Sequence, residues 1–309
     1  MSDELVKLTT YFGERQRTGG RFLADALLDI YERHEVRTSV LLRGVEGFGL
    51  KHHLRTDRLL TLSEDLPLVA VAVDTRARVE AMLGEVMGLE RHGLVTLERA
   101  VAEIEDPGEE LQLTIYLGRQ ERIGGRPAFV AVCDLLRRHG VAGATVLLGV
   151  DGTAHGERRR ARFFARNADV PVMVIAVGPG EQVARVLPEL RDRLITLERV
   201  RICRRDGVAL AAPGQDAPLE KLMVIASEHA ELVRRLRASG ARGVTCIRGI
   251  WGFHGDHAPH GDRLLQLRRH APVVTVIVDS PERITSSFEI AAGLTRRRGL
   301  VTSLAARAG

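Results

Sequence analysis

The chain is short of the residues on which many functional signatures depend. Aromatics make up 4% of it, with one tryptophan, three tyrosines and eight phenylalanines. Single-stranded nucleic acid needs successive aromatic faces to stack its bases, so nucleic-acid binding is not expected despite a net charge of +5. Cysteines are only three, Cys133, Cys203 and Cys246, an odd number without metal-like spacing. That argues against a disulfide framework and makes a reducing cytoplasm the expected setting. No apolar run approaches the ~20 residues of a membrane span, and the acidic start Met1-Ser2-Asp3-Glu4 does not read as a signal segment. Lysine is nearly missing: Lys7, Lys51 and Lys221 stand in a Lys+Arg total of 45. This skew towards arginine reads as the codon use of a GC-rich genome and weakens any argument from basicity. No Ser/His/Asp, Cys/His or paired-carboxylate constellation recurs, so no enzyme is expected.

What the chain does have is repetition, which must be found before the fold is read. Tyr11-Phe12-Gly13 returns as Tyr116-Leu117-Gly118, and Gly19-Gly20 as Gly124-Gly125. Val40-Leu41-Leu42-Arg43-Gly44 returns as Thr145-Val146-Leu147-Leu148-Gly149 and again as Thr245-Cys246-Ile247-Arg248-Gly249. Leu94-Val95-Thr96-Leu97-Glu98-Arg99 returns as Leu194-Ile195-Thr196-Leu197-Glu198-Arg199, and loosely as Leu300-Val301-Thr302-Ser303-Leu304. The periods are domain-sized, so the chain divides into three units: 1–105, 109–205 and a trimmed 219–309.

Each unit reads as strand, helix, strand, strand, helix, strand. In unit 1 the strands are 5–12, 39–43, 66–73 and 94–99. A first helical face runs through Phe22, Leu23, Ala26, Leu27, Ile30 and Tyr31, and a second helix over 76–87 is capped by Asp74 or Thr75. Unit 2 repeats this at 111–117, 126–139, 144–148, 170–177, 181–190 and 194–199. Unit 3 opens with strand 221–225 and helix 228–238 capped by Ser227; Ser280 and Pro281 start its second helix. It lacks the Gly- and Arg-rich loop found at 13–20 and 118–125. The order β-α-β-β-α-β is the split motif of ferredoxin-like domains, an α+β fold. The short linker 105–110 implies that units 1 and 2 pack closely. The Ala/Gly/Pro-rich 206–218 reads as a flexible tether.

The unusual feature is the connection between second and third strands, 45–65, 150–169 and 250–270. Each is about twenty residues, where structureless loops beyond ~12–15 are commonly functional or disordered. The residues Tyr11-Phe12-Gly13-Glu14, Gly19-Gly20, Leu41-Leu42-Arg43-Gly44-Val45-Glu46-Gly47-Phe48-Gly49, Leu62-Ser63-Glu64-Asp65-Leu66-Pro67 and Gly93-Leu94-Val95-Thr96-Leu97-Glu98 cover most of unit 1. In these the chain resembles the PII signalling superfamily and, more closely, the PII-like family called domain of unknown function 190. Unit 2 matches outside its long loop, and unit 3 from Arg242 onward.

The resemblance implies a pseudo-trimer of fused units, because PII-type proteins are homotrimers that bind adenine nucleotides in clefts between subunits. It places nucleotide contacts at the end of the second strand: Arg43, Gly44 and Gly47; Gly149 and Gly152; Arg248, Gly249 and Gly252. It places others at the turn before the fourth strand: Arg91 and Gly93; Arg193; Arg298 and Gly299. Glycine allows close backbone approach and arginine grips phosphate bidentately; the plainer reading is that these glycines end strands and these arginines decorate turns. The effector would be AMP, ADP, ATP or cyclic AMP, and the long loops would engage a protein partner, such as a membrane transporter or channel. The alternative is a nucleotide-free scaffold or metal-binding module acting by constitutive contacts. The Gly-rich loop lacks G-x-x-x-x-G-K-[ST], which leaves it a structural turn rather than a phosphate loop.

The long loops differ in chemistry. The first carries His52-His53; the second Glu157-Arg158-Arg159-Arg160; the third His254, His257 and His260 near Asp256 and Asp262. No ligand shell is completed, so no metal is assigned. Such variety on one scaffold suggests partner recognition. Trp251 and Phe253 are then candidate exposed anchors, unless they pack back on the sheet.

Overall fold

The computed structural model describes residues 4–49, 53–56, 65–89, 93–100, 104, 106, 108–154, 157–158, 170–226, 228–254, 260–261, 272–295 and 298–309. In unit 1 the strand Leu5–Gly13 pairs antiparallel with Pro67–Thr75 on one side and Leu94–Ala100 on the other. Thr38–Arg43 lies outside Pro67–Thr75, so the strand order is second–third–first–fourth. Unit 2 builds the same order from Glu110–Gly118, Gly143–Ala154, Pro171–Pro179 and Ile195–Arg199. Unit 3 builds it from Leu219–Ala226, Val244–Arg248, Val273–Asp279 and Leu300–Ala308. Two helices cover one face of each sheet: α1 (Leu23–Arg33) and α2 (Arg76–Leu89), α3 (Ala128–Arg138) and α4 (Gly180–Val186), α5 (His229–Ala238) and α6 (Pro281–Leu294). The 181–190 helix of the sequence reading is shorter, passing into a 3-10 turn at Leu187–Leu190 where Pro188 intervenes. No described helix is long and apolar enough to cross a membrane.

Alternation along the strands explains why both faces are buried. In unit 1 Val6, Leu8 and Phe12 point to the helices and pack with Leu27, Tyr31 and Met82. The other face joins a second core shared by all three units: Val40, Val71, Leu147, Ile175, Met223 and Leu304 lie in one cluster. The helix-side cores belong mainly to single units, but each takes in residues from a neighbour. Phe253 enters that of unit 2, and Phe48 that of unit 3.

The long connections are not loops from their first residue, as the sequence reading has them. Glu46–Phe48 of unit 1 pairs with Val244, Thr245 and Cys246 of unit 3. The strand Gly143–Ala154 of unit 2 continues through an irregularity at Gly149 and Asp151 to pair with Thr38–Leu42 of unit 1. Trp251–His254 of unit 3 pairs with Gly143–Val146 of unit 2. The exchange is cyclic, so every outer strand gains a neighbour and no second strand keeps an open edge. The fourth strand of unit 3 also joins its neighbours: Leu300–Ser303 runs beside Arg201–Arg205, which follows the fourth strand of unit 2, and Arg307 and Ala308 pair with Leu97 and Thr96 of unit 1.

The 206–218 linker is not the flexible tether that its composition suggests. Asp206 and Gly207, both at positive φ, turn the chain so that Val208 pairs back with Arg205. Arg201 donates to the carbonyls of Ala212 and Gly214 at 3.2 and 3.1 Å, and Gly214 N–H donates to the buried Glu220 at 2.9 Å. Specific partners for the backbone override the flexibility of the residue types. Capping also differs in part. Thr75 Oγ1 does accept from Arg78 N–H at 3.5 Å, but Glu228 is the N-cap of α5 and Ser227 lies outside the described residues.

Candidate functional site

The strand directions bring three segments to one end of each sheet: the loop after the first strand, the end of the second, and the turn before the fourth. In units 1 and 2 the first of these is a small hairpin. Gly19 and Gly20, and again Gly124 and Gly125, take left-handed conformations at its tip, the geometry of a two-residue hairpin turn that glycine adopts without strain. Leu23 N–H donates to Gln16 O at 2.8 Å, and Ala128 N–H to Glu121 O at 2.8 Å, which fixes each loop against its helix. The turn reading of this loop is the correct one.

The site residues expected from the sequence fall into two groups. The glycines sit at crowded turns beside the junctions between units. A Cβ on Gly44 would meet Cys246 O at 2.9 Å, on Gly149 Pro171 O at 2.8 Å, and on Gly249 Thr145 Cγ2 at 3.0 Å. On Gly47, Gly152 and Gly252 it would collide with the carbonyl oxygens of Val244, Ser39 and Ala144, all on the neighbouring unit. Strand exchange thus gives Gly47, Gly152 and Gly252 a structural reason, while Gly44, Gly149 and Gly249 are crowded by their own unit as well as by the neighbour. Gly299, at φ +129, lies against Ile225 O and donates its N–H to Asp206 Oδ1 at 3.2 Å. Gly93 is half-buried at the start of the fourth-strand segment.

The arginines are unequal. Arg43 makes a two-pronged pair with Glu14, Nε and Nη2 each 2.9 Å from a carboxylate oxygen. Arg193 Nη2 lies 3.2 Å from Glu121 Oε1, in the hairpin loop of its own unit, while its Nε is enclosed and meets no partner among the described residues. Arg248 is half-buried, its Nε is enclosed, and no partner meets it among the described residues. Arg298 is exposed. Arg91 lies outside the described residues, as do His52, His257, Asp256, Asp262, Arg159 and Arg160. His254 Nε2 is 2.6 Å from Asp206 Oδ1, and no cluster of metal-ligating side chains occurs among the described residues. Burial pushes the Cys133 thiol up to about 12 and the Cys203 thiol up to about 11, so neither is poised as a nucleophile.

The exchanged segments form three chemically different junctions at equivalent positions. Glu46 lies 3.6 Å from His229 on α5. Asp151 shares Arg158 with Asp25 and Asp29 on α1, all within 2.9 Å. Trp251 stacks edge-on against Phe129 of α3, centroids 6.4 Å apart. Trp251 and Phe253 are therefore not exposed anchors: Phe253 is buried and Trp251 half-buried against the unit 2 core. Arg158 is likewise spent inside a junction rather than displayed. Two clefts, of about 360 and 460 Å³, lie between units 1 and 3. Leu54, Val233 and Arg237 line the first, and Arg76, Leu97 and Pro218 the second. None of the expected site residues that are described lines either.

Sequence reasoning missed a buried charged layer where the three sheets face one another. Lys7 pairs across strands with Glu98, Gln112 with Glu198, and Lys221 with Leu304. All six are buried. Lys7 Nζ reaches Glu198 as well as Glu98, the latter at 3.1 Å; Lys221 Nζ reaches Glu98 at 2.5 Å; Gln112 donates to Glu198. The layer holds two ammoniums and two carboxylates, so its formal charge cancels. Burial opposes the Lys7 charge, but Glu198 and Glu98 outweigh it and hold its pKa above the usual value. Burial likewise opposes the Glu98 charge, yet Lys221 and Lys7 draw it down to about 2. Burial pushes Lys221 the other way, downward, against the pull of Glu98.

The family model for domain of unknown function 190, described as an uncharacterized ACR, matches the chain three times, over 5–102, 110–202 and 226–308. A UPF0166 protein of Methanocaldococcus jannaschii is 35% identical over 82 residues, 26% of this chain and 74% of the relative. Another, from Aquifex aeolicus, is 29% identical over 94 residues, 29% of this chain and 90% of that protein. These relatives are thus about one unit long. A protein of unknown function from Galdieria sulphuraria shares 10% identity over 64% of this chain and 99% of its own, at a TM-score of 0.21, too low to indicate a common fold.

Proposed function

The chain belongs to the family of domain of unknown function 190, present here in three tandem copies, and from that premise we propose that it is a PII-like, non-enzymatic regulator in the cytoplasm. In this reading its units are ferredoxin-like, its strand exchange makes a pseudo-trimer, and an adenine nucleotide binds at inter-unit clefts. The long loops pass the signal to a protein partner, for which a membrane transporter or channel is the expected class. One observation carries the reading. Each long connection begins as a strand on the neighbouring unit, beside the end where the hairpin loop and the fourth-strand turn meet. A ligand seated there would contact two units and the root of a loop together. Its effect is a population shift, and it requires the ligand to favour one loop arrangement over another.

A thermal-shift series with AMP, ADP, ATP and cyclic AMP tests this, paired with limited proteolysis of the loops. A ligand at a hundredfold excess over its dissociation constant adds about 2.7 kcal/mol to stability. A shift with one nucleotide, together with changed cleavage in 57–64, 159–169 or 262–271, supports the regulator. No shift and no change in cleavage sinks it. The scaffold reading draws on a different observation: Arg43 and Arg193 already have carboxylate partners, so their charges need no ligand. A partner captured from lysate equally well with and without added nucleotide would favour it.

A further inference from the structure

We propose that the three equivalent ends are not three equivalent sites, and that unit 3 alone is open to a phosphate-type oxyanion, with Arg248 as the anchor. The inference rests on the nucleotide reading but narrows it to one cleft. The residue of the second strand that precedes the repeated glycine is Arg43 in unit 1, Leu148 in unit 2 and Arg248 in unit 3. Arg43 is closed by the two-pronged pair with Glu14, a residue of the hairpin loop. Unit 2 has no cation at this position; the Nε of the arginine at its fourth-strand turn, Arg193, is also enclosed without a partner among the described residues, but its Nη2 is held by Glu121 of the equivalent loop, so the fork is not free to take an oxyanion. In unit 3 the hairpin loop is deleted: the first strand ends at Ala226 and α5 begins at His229. The carboxylate that closes the other units has gone with it, while the arginine has stayed.

What remains is a guanidinium that cannot discharge itself by deprotonation. Its Nε is enclosed and meets no partner among the described residues. Glu228, the first carboxylate after the strand, is exposed and forms no ion pair with it. An enclosed N–H of a charged group without an acceptor is costly. An oxyanion taking Nε and an Nη together would satisfy it in the fork geometry that suits phosphate. Arg298, exposed beside Gly299, adds a second cation at the same end. Asp206, the carboxylate at that turn, is engaged by the Gly299 N–H and by His254. The deletion that makes unit 3 look degenerate in the sequence is, on this view, what opens its site.

The full-length protein titrated calorimetrically with inorganic pyrophosphate and, separately, with ATP provides the test. One pyrophosphate per chain is expected. Arg248→Gln should lose at least tenfold in affinity, Arg248→Lys should lose less, and Arg43→Gln should change nothing. Glu14→Gln should raise the stoichiometry to two by freeing Arg43. Circular dichroism confirms that each variant is folded, and the lysine variant keeps the test valid if the glutamine variant is not. No pyrophosphate binding, three sites per chain, or a site indifferent to Arg248→Gln and Arg248→Lys overturns the proposal. If ATP binds but ignores Arg248, the nucleotide reading stands and this inference falls. If pyrophosphate binds through Arg248 and no nucleotide binds, the reverse holds.

Discussion

Lys7, on the first strand of unit 1, donates to Glu198, on the fourth strand of unit 2, across 191 positions of sequence and out of contact with solvent. The same lysine meets Glu98 of its own unit, which in turn accepts from Lys221 of unit 3. One connected network therefore ties all three units together where their sheets meet. Three units with identical residues here would place three like pairs together. This chain instead drops one ammonium, at Gln112, and one carboxylate, at Leu304. Losing either alone would leave a buried net charge, whereas losing both keeps the layer neutral.

That balance predicts a non-additive mutant cycle. Gln112→Lys and Leu304→Glu should each destabilise the protein by about 3 kcal/mol, because each leaves an uncompensated buried charge. Together they restore neutrality and should recover about 2 kcal/mol of the summed loss. Urea unfolding of the four proteins measures this. Simple additivity would show that the charges do not sense one another.

The layer also sets a pH dependence. Glu98 is held at about 2 in the folded protein, against an ordinary value near 4.3 unfolded. A depressed carboxylate contributes stability above its unfolded pKa, and that contribution disappears as pH falls towards the folded one. About 3 kcal/mol should be lost between roughly pH 4.5 and 2. Lys7 has the opposite sign: its raised pKa gives stability that is complete below ~10.4 and lost as pH rises through the folded value. Lys221, whose pKa burial lowers, works against Lys7 by gaining stability as pH rises, so the acid side gives the clear readout: urea midpoints should drop below about pH 4. In Lys7→Met the acid loss that Glu98 contributes should be smaller and should end at higher pH, since one of the two cations depressing Glu98 is gone. A loss of unchanged size and end point would contradict this assignment.

The elements themselves were legible because strand alternation and helical faces survive in each copy, as Leu5–Gly13 and Leu23–Arg33 illustrate. The strand exchange was not. Glu46–Phe48 is short, half polar, contains glycine, and finds its partner about two hundred residues away. Local patterns carry no information about such pairings. The charged layer did leave a trace. Two of the three lysines, Lys7 and Lys221, occupy the same position of the repeat, and Glu98 and Glu198 recur in the same Thr-Leu-Glu-Arg run. In a chain that uses arginine almost everywhere else, a repeated lysine in the middle of an apolar strand marks a site where a compact ammonium suits an enclosed space better than a planar guanidinium. Trp251 misled for a related reason: an aromatic in a long loop looks exposed until the loop's first residues prove to be a strand on another unit.

The glycines give a contrast within two residues. Gly47→Ala would drive a methyl group into Val244 O, whereas Gly49 has nothing within 4 Å of the corresponding position. Gly47→Ala should cost about 3 kcal/mol or separate the exchanged strand, and Gly49→Ala should stay within about 0.5 kcal/mol of wild type. Thermal melts of the two variants decide the matter. Equal tolerance at both positions would mean that the strand of unit 1 does not lie on unit 3 as described.

Trp251 is the single tryptophan of the chain, and its contact with Phe129 spans the junction of units 2 and 3, so its fluorescence reports that junction alone. Removing it with Trp251→Ala should destabilise by about 3–4 kcal/mol, the range for a large aromatic lost from a packed site. Phe129→Leu should cost less, since an apolar side chain still covers the ring. In the wild-type protein the emission should be blue-shifted and should move to longer wavelength in the same urea transition that removes the far-ultraviolet dichroism. The reason is that the charged layer and the strand exchange link this junction to the other two, so one cannot open while the rest stay closed. An emission shift that precedes the loss of secondary structure would show instead that unit 3 can detach on its own. The junctions would then be independent hinges rather than parts of one cooperative ring.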